Sequence, residues 1–126
     1  MYRIKKELTF DAAHFLPDHE GHCKNLHGHS YKVEVWIKGY TLNDMGMLID
    51  FGELKSIIDL YDHSCLNEKP EFNIARGGQR PTAENMAKWF YFLLDTLCDG
   101  QENEVGVEKI RVWETDSAYA EYSKEW

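Results

Sequence analysis

Apolar side chains recur at alternate positions in residues 2–14: Ile4, Leu8, Phe10, Ala12 and His14 share one parity, and Arg3, Lys5, Glu7, Thr9 and Asp11 the other. A strand turns successive side chains to opposite faces, so this spacing predicts a half-buried strand, broken on its apolar face only by Lys6. Residues 27–39 repeat the pattern, with His27, His29, Tyr31, Val33, Val35 and Ile37 against Ser30, Lys32, Glu34, Trp36 and Lys38. In both segments histidines continue the inward parity.

The period then changes. Asp50 followed by Glu53 reads as a capping box, and Leu54, Ile57, Ile58 and Tyr61 recur at helical spacing, which predicts a helix ending near Asp62 and His63. Thr82 is placed to cap a second helix with Glu84 in its first turn. Met86, Trp89, Phe90, Leu93, Leu94 and Leu97 form that helix's apolar stripe, closed by Asp99-Gly100. Two more strands are expected over roughly 106–115 and 118–124. The order β-β-α-α-β-β predicts an α+β fold, a mostly antiparallel sheet with helices on one face. Without repeats or linker-like tracts, residues 1–126 are expected to form a single domain with two long connections, 15–26 and 66–81.

Composition narrows the partners. A formal net charge of −8 opposes a nucleic-acid groove or an anionic membrane surface, each of which needs a dominant positive field. No apolar run approaches the roughly 20 residues of a membrane span, and MYRIKKELTF has no signal-like core, so a soluble, cytoplasmic protein is expected. Cys23, Cys65 and Cys98 are odd in number and unrelated in spacing, which excludes a disulfide framework or a cysteine-rich finger.

The chemistry concentrates in CKNLHGHSYKV, residues 23–33. If the first two strands pair, His14, His27 and His29 converge, and three imidazoles suit Zn²⁺ with a fourth position open. Cys23 is either the fourth ligand, which would make a closed structural site, or a thiolate beside the metal that moves protons. Spacing leaves both open. Asp62-His63 forms either an orienting acid–imidazole pair or a solvated helix end. Glu114 shares the inward parity of Ile110 and Val112, so it needs a partner, either a ligand's N–H groups or an inward cation such as Lys6. Cys65 and Cys98 read as packing residues. Lys24, Arg76 and Arg80 are the candidate partners for an anionic substrate, the two arginines lying just before a helix N-terminus.

The stretches FDAAHFLPDHEGHCKNLHGHSYKVEV, GMLIDFGELK, YDHSCLN, RPTAENMAKWF and VWETDSAYAEY, in this order, resemble the 6-pyruvoyl-tetrahydropterin synthase family, and most of all its short bacterial-type branch, the 6-carboxytetrahydropterin synthases. The resemblance runs from about Phe10 to Tyr122. It implies the tunnelling fold (T-fold), a four-stranded antiparallel sheet with two helices, assembled as hexamers of two trimers with active sites at subunit interfaces. It makes His14, His27 and His29 the zinc ligands, Cys23 the catalytic thiol, Asp62 and His63 its relay partners, Glu114 the carboxylate that anchors the pterin, and Thr82 a residue of the pterin pocket. The implied reaction converts 7,8-dihydroneopterin triphosphate to 6-carboxytetrahydropterin with release of acetaldehyde and triphosphate, on the route to queuosine. The sibling pyruvoyl-forming reaction and a non-catalytic zinc domain are the alternatives. Two departures stand out: Cys65 lies close to His63 where a bulkier residue is expected, and ARGGQRP replaces the usual approach to PTAEN.

Overall fold

The computed structural model describes residues 1–124, and both alternating segments form strands with the predicted limits: β1 spans Tyr2–His14 and β2 spans His27–Gly39. They pair antiparallel in one unbroken register, with Leu8 opposite Val33, Phe10 opposite Tyr31 and His14 opposite His27. The apolar parity of each strand faces a common core, and the histidines extend that face to the end of the sheet.

Helix α1 (Phe51–Ile58) is capped by Asp50, whose carboxylate accepts the Gly52 N–H at 2.7 Å. It stops at Ile58, short of the predicted end, and a 3-10 turn over Asp59–Tyr61 brings the chain to Asp62. The tighter turn seats Tyr61 in the core, where its hydroxyl donates to Glu71 at 2.6 Å and accepts from Trp89 Nε1 at 2.7 Å. In helix α2 (Ala83–Asp99), Thr82 Oγ1 accepts the Asn85 N–H at 3.1 Å. Met86, Phe90 and Leu94 are fully buried as the stripe predicts, whereas Trp89 keeps its ring exposed and spends its indole N–H on Tyr61. No helix among the described residues is long and apolar enough to cross a membrane.

The last two strands, β4 (Val105–Thr115) and β5 (Ala118–Tyr122), follow as an antiparallel pair. The sheet has five strands rather than four, because the two residues Ser64–Cys65 form β3, parallel to Ala12–Ala13, giving the order β3-β1-β2-β4-β5. So short a strand carries no alternation that a sequence could reveal. Both helices pack on one face, where Leu54, Ile58, Met86 and Phe90 meet Phe10, Val33, Val35 and Ile110.

A bulge sets the phase of β4. Trp36 pairs with Lys109 and Ile37 with Val107, so Glu108 is the extra residue, and both Val107 and Ile110 turn inward despite their opposite parity. On the opposite face Glu34 is buried, with Lys5 Nζ 2.7 Å away and the Trp113 indole N–H donating to it. Burial alone would raise its carboxyl pKa, but Lys5, Trp113 and Arg111 outweigh that and hold it below the ordinary value.

Phe10 is the central anchor, stacked on Tyr31 at 5.0 Å and edge-on to Phe90 at 6.0 Å between ring centroids. Phe10→Ala is expected to cost about 3–5 kcal/mol of stability, read as a lower urea midpoint at an unchanged slope.

Candidate metal centre and active-site cleft

The β1–β2 register carries His14 and His27 to facing positions at the sheet's end, with His29 one pair further in opposite Ala12. His14 is buried, and its Nδ1 lies 2.7 Å from the Pro81 carbonyl oxygen. A carbonyl can only accept, so the proton sits on Nδ1 and the Nε2 lone pair is free. His27 is held the same way, its Nδ1 donating to the Asn25 carbonyl at 2.7 Å. The two Nε2 atoms therefore face one another at 3.0 Å, and the ligand atoms of all three histidines lie within 4.8 Å of each other. Two lone pairs at that separation repel unless a cation lies between them, so this donor set fits a metal ion that favours imidazole nitrogen. Burial lowers the His14 pKa more than the Pro81 carbonyl and the Glu114 carboxylate raise it, which keeps the ring neutral and able to bind metal.

These histidines line a cleft of about 560 Å³ together with Cys23, Thr82, Glu84 and Glu114. Cys23 is half-buried on a one-turn 3-10 segment, His22–Lys24. Among the described residues its sulfur is not one of the converging donors, which are the three imidazoles. Glu114 comes within the same chain to 3.9 Å of His14 Nε2. Its cationic alternative is not used, since the Lys6 ammonium lies over the Phe51 ring at 5.7 Å. Thr82 accepts at the helix cap and retains its own O–H for the cleft.

Asp62 and His63 form the orienting pair, with His63 Nδ1 and Asp62 Oδ2 at 3.0 Å. The Asp11 N–H donates to Asp62 Oδ1 at 2.8 Å and, with His63, holds that carboxyl below its usual pKa. His63 itself takes φ 54°, a left-handed conformation costing a non-glycine residue roughly 1–2 kcal/mol, while its N–H donates to the Asp11 carbonyl at 2.7 Å. The strained backbone turns an 82% exposed imidazole outward. His63 lines a second depression of about 430 Å³ with Asp11, Ala13, Gly28 and Ser30, together with Ala12 and His29 of the other strand parity, so that His29 borders both hollows. Within one chain Cys23 and His63 thus line separate hollows that share His29 alone of their named lining residues.

The remaining thiols and cations resolve simply. Cys98 is buried, which pushes its pKa up to about 12, and Cys65 is half-buried in β3. Arg76 and Lys24 are exposed, while Arg80 is engaged with Asp18 in a two-pronged ion pair. The sequence reading missed Asp11, which braces Asp62 and His63, and the carbonyls of Pro81 and Asn25, which set the imidazole tautomers. Backbone acceptors leave no residue-type signal.

The sequence matches the family model "6-pyruvoyl tetrahydropterin synthase" over residues 3–125. Among curated relatives, the 6-carboxy-5,6,7,8-tetrahydropterin synthase of Haemophilus influenzae is 35% identical, covering 98% of this chain and 100% of the relative. The protein of the same name from Aquifex aeolicus is 37% identical, with 96% and 89% covered. Among solved structures, Caenorhabditis elegans 6-pyruvoyl tetrahydropterin synthase shares the fold with a TM-score of 0.75 at 24% identity, over 98% of this chain and 96% of that one.

His27→Ala is expected to keep the fold but to weaken binding of a divalent metal ion by on the order of a hundredfold or more, read by competition with a chromophoric chelator. The sign of a pH effect follows from His14. Because burial lowers its folded pKa, the unfolded chain takes up a proton near pH 6.5 that the folded ring resists, so the metal-free protein should lose stability as pH falls below about 6.5. His14→Gln should flatten that decline in urea midpoints between pH 7.5 and 5.5. On full-length family match and near-complete coverage of its curated relatives, the chain belongs to the 6-pyruvoyl tetrahydropterin synthase family of enzymes.

Proposed function

We propose that the protein is a zinc-dependent lyase that converts 7,8-dihydroneopterin triphosphate and one water to 6-carboxy-5,6,7,8-tetrahydropterin, releasing acetaldehyde and triphosphate. The observation that carries this reading is the set of three imidazoles with converging nitrogens in a cleft that also holds a thiol and a carboxylate. The names of the curated relatives support the 6-carboxy product over the 6-pyruvoyl one.

Glu114 accepts the ring N–H and amino hydrogens of the pterin, a two-point charge-assisted contact that fixes its orientation, and Thr82 adds a hydroxyl to the same wall. His14, His27 and His29 would hold the zinc, which would supply Lewis-acid polarisation of side-chain hydroxyl oxygens. Cys23 takes and returns a proton at the substrate side chain through its sulfur. Asp62 holds His63 by Nδ1, which leaves Nε2 to exchange that proton. Because His63 and Cys23 line separate hollows within one chain, the relay joins two chains: His63 of one subunit reaches Cys23 of another in a homo-oligomer, expected to be a hexamer of two trimers.

Incubation of the zinc-loaded protein with 7,8-dihydroneopterin triphosphate should yield acetaldehyde in proportion to triphosphate. Triphosphate without acetaldehyde would assign the pyruvoyl-forming reaction instead. Cys23→Ala should lower kcat by about 10²–10⁴-fold with the fold intact. Cys23→Ala and His63→Ala subunits, unfolded and refolded together, should recover activity that neither homo-oligomer has. No recovery would place the relay within one chain.

A further inference from the structure

Arg80 entered the sequence reading as a candidate contact for an anionic substrate, but its guanidinium is committed elsewhere. Its Nε donates to Asp18 Oδ2 at 2.8 Å and Oδ1 at 3.1 Å, and its terminal nitrogen also reaches Oδ2. Asp18 belongs to the connection that carries Cys23. That segment is closed by the Leu16 N–H donating to the Cys23 carbonyl at 2.7 Å and braced by the His19 N–H on the Leu16 carbonyl at 2.9 Å. Its start is fixed separately, where Asn67 accepts the Phe15 N–H and donates to the Phe15 carbonyl, each at 2.9 Å.

Arg80 stands on a stiff platform. Its carbonyl accepts from the Asn85 side chain and the Thr82 N–H, each at 2.9 Å, which ties it to the start of α2. Just upstream, Gly77 takes φ 83°, and Gly78 is packed so closely that a Cβ would lie 2.4 Å from the Pro70 carbonyl oxygen. The two sides joined by the ion pair are the two walls of the cleft: Leu16, His22 and Cys23 on one, Thr82, Ala83 and Glu84 on the other.

We propose that Arg80 is a positioning residue that holds the Cys23 loop against the N-terminal end of α2 through Asp18, and so fixes the thiol over the three histidines. A surface ion pair adds little to global stability. Here it restrains one small loop, and a shift of that loop's population by a few fold is enough to change the rate of a thiol that must stand within proton-transfer reach of its target. The assignment rests on the reading of Cys23 as the reacting thiol.

The test compares Asp18→Asn, Arg80→Gln, their double variant and the charge swap Asp18→Arg with Arg80→Asp, all in the zinc-loaded oligomer. Two quantities are read: kcat and KM with 7,8-dihydroneopterin triphosphate, and the Cys23 alkylation rate by iodoacetamide, resolved from Cys65 and Cys98 by peptide mass spectrometry. Each single change is expected to lower kcat about three- to tenfold with KM nearly unchanged and to alter Cys23 alkylation by a similar factor. The double variant should be no worse than either single one, and the swap should restore both readouts toward wild type. A raised KM at constant kcat in Arg80→Gln, with no rescue by the swap, would make Arg80 a phosphate contact and overturn the inference. Unchanged alkylation in every variant would overturn it too. If wild type turns over no pterin, the functional reading fails, while the alkylation series still decides whether the pair positions the thiol.

Discussion

Two imidazole nitrogens, each stripped of its proton by a hydrogen bond on the far side of its ring, are held lone pair to lone pair at 3.0 Å. That contact is unfavourable in the bare protein, and the rest of the chain is arranged to enforce it. The β1–β2 register sets the backbone positions, the Pro81 carbonyl ahead of α2 fixes one ring, and Asn25 in the Cys23 connection fixes the other. The hydrophobic core beneath, built on Phe10, Tyr31 and Phe90, supplies the rigidity that prevents the rings from turning away. A divalent cation converts the repulsion into bonding, which is why the site reads as a metal centre rather than as packed core histidines.

The second constraint is topological. A strand sends neighbouring residues to opposite faces, so β1 delivers His14 to the cleft while Asp11 serves the other side, where it grips Asp62 and the backbone of His63. The left-handed backbone of His63 is local strain that these bonds sustain, and it presents a freely accessible imidazole on an outer surface.

Much of this was legible in the residues because both long strands obey a period of two with few exceptions, and parity alone aligned His14, His27 and His29 and turned Glu114 inward on its own strand. The helix caps at Asp50 and Thr82 were equally plain, since their side chains have one obvious task. The hidden parts share a physical reason. Strand β3 has two residues and no pattern. The α1 helix ends early because Tyr61 is recruited into a tertiary network with Glu71 and Trp89. Glu34 occupies a polar parity yet is buried, because Lys5, Arg111 and Trp113 from neighbouring strands close over it, and no single segment records that encounter. The ion pair of Asp18 with Arg80 joins loops 62 residues apart and is likewise invisible to local spacing.

The bulge at Glu108 has a reach beyond its own strand. Upstream of it, Val107 serves the core from an odd position, and downstream Ile110 and Val112 do so from even ones, with Glu114 following at a second irregularity between Trp113 and Thr115. One supernumerary residue thus acts as a phase shifter between the end of the strand that builds the core and the end that builds the cleft. Excising that residue would leave the chain a choice between two sheets, one with Val107 inside and Ile110 and Val112 turned out, the other with Ile110 and Val112 in place and the core short of a valine. The position of the Glu114 carboxylate thereby depends on two irregularities, one six residues upstream and one at its own place in the pairing of β4 with β5.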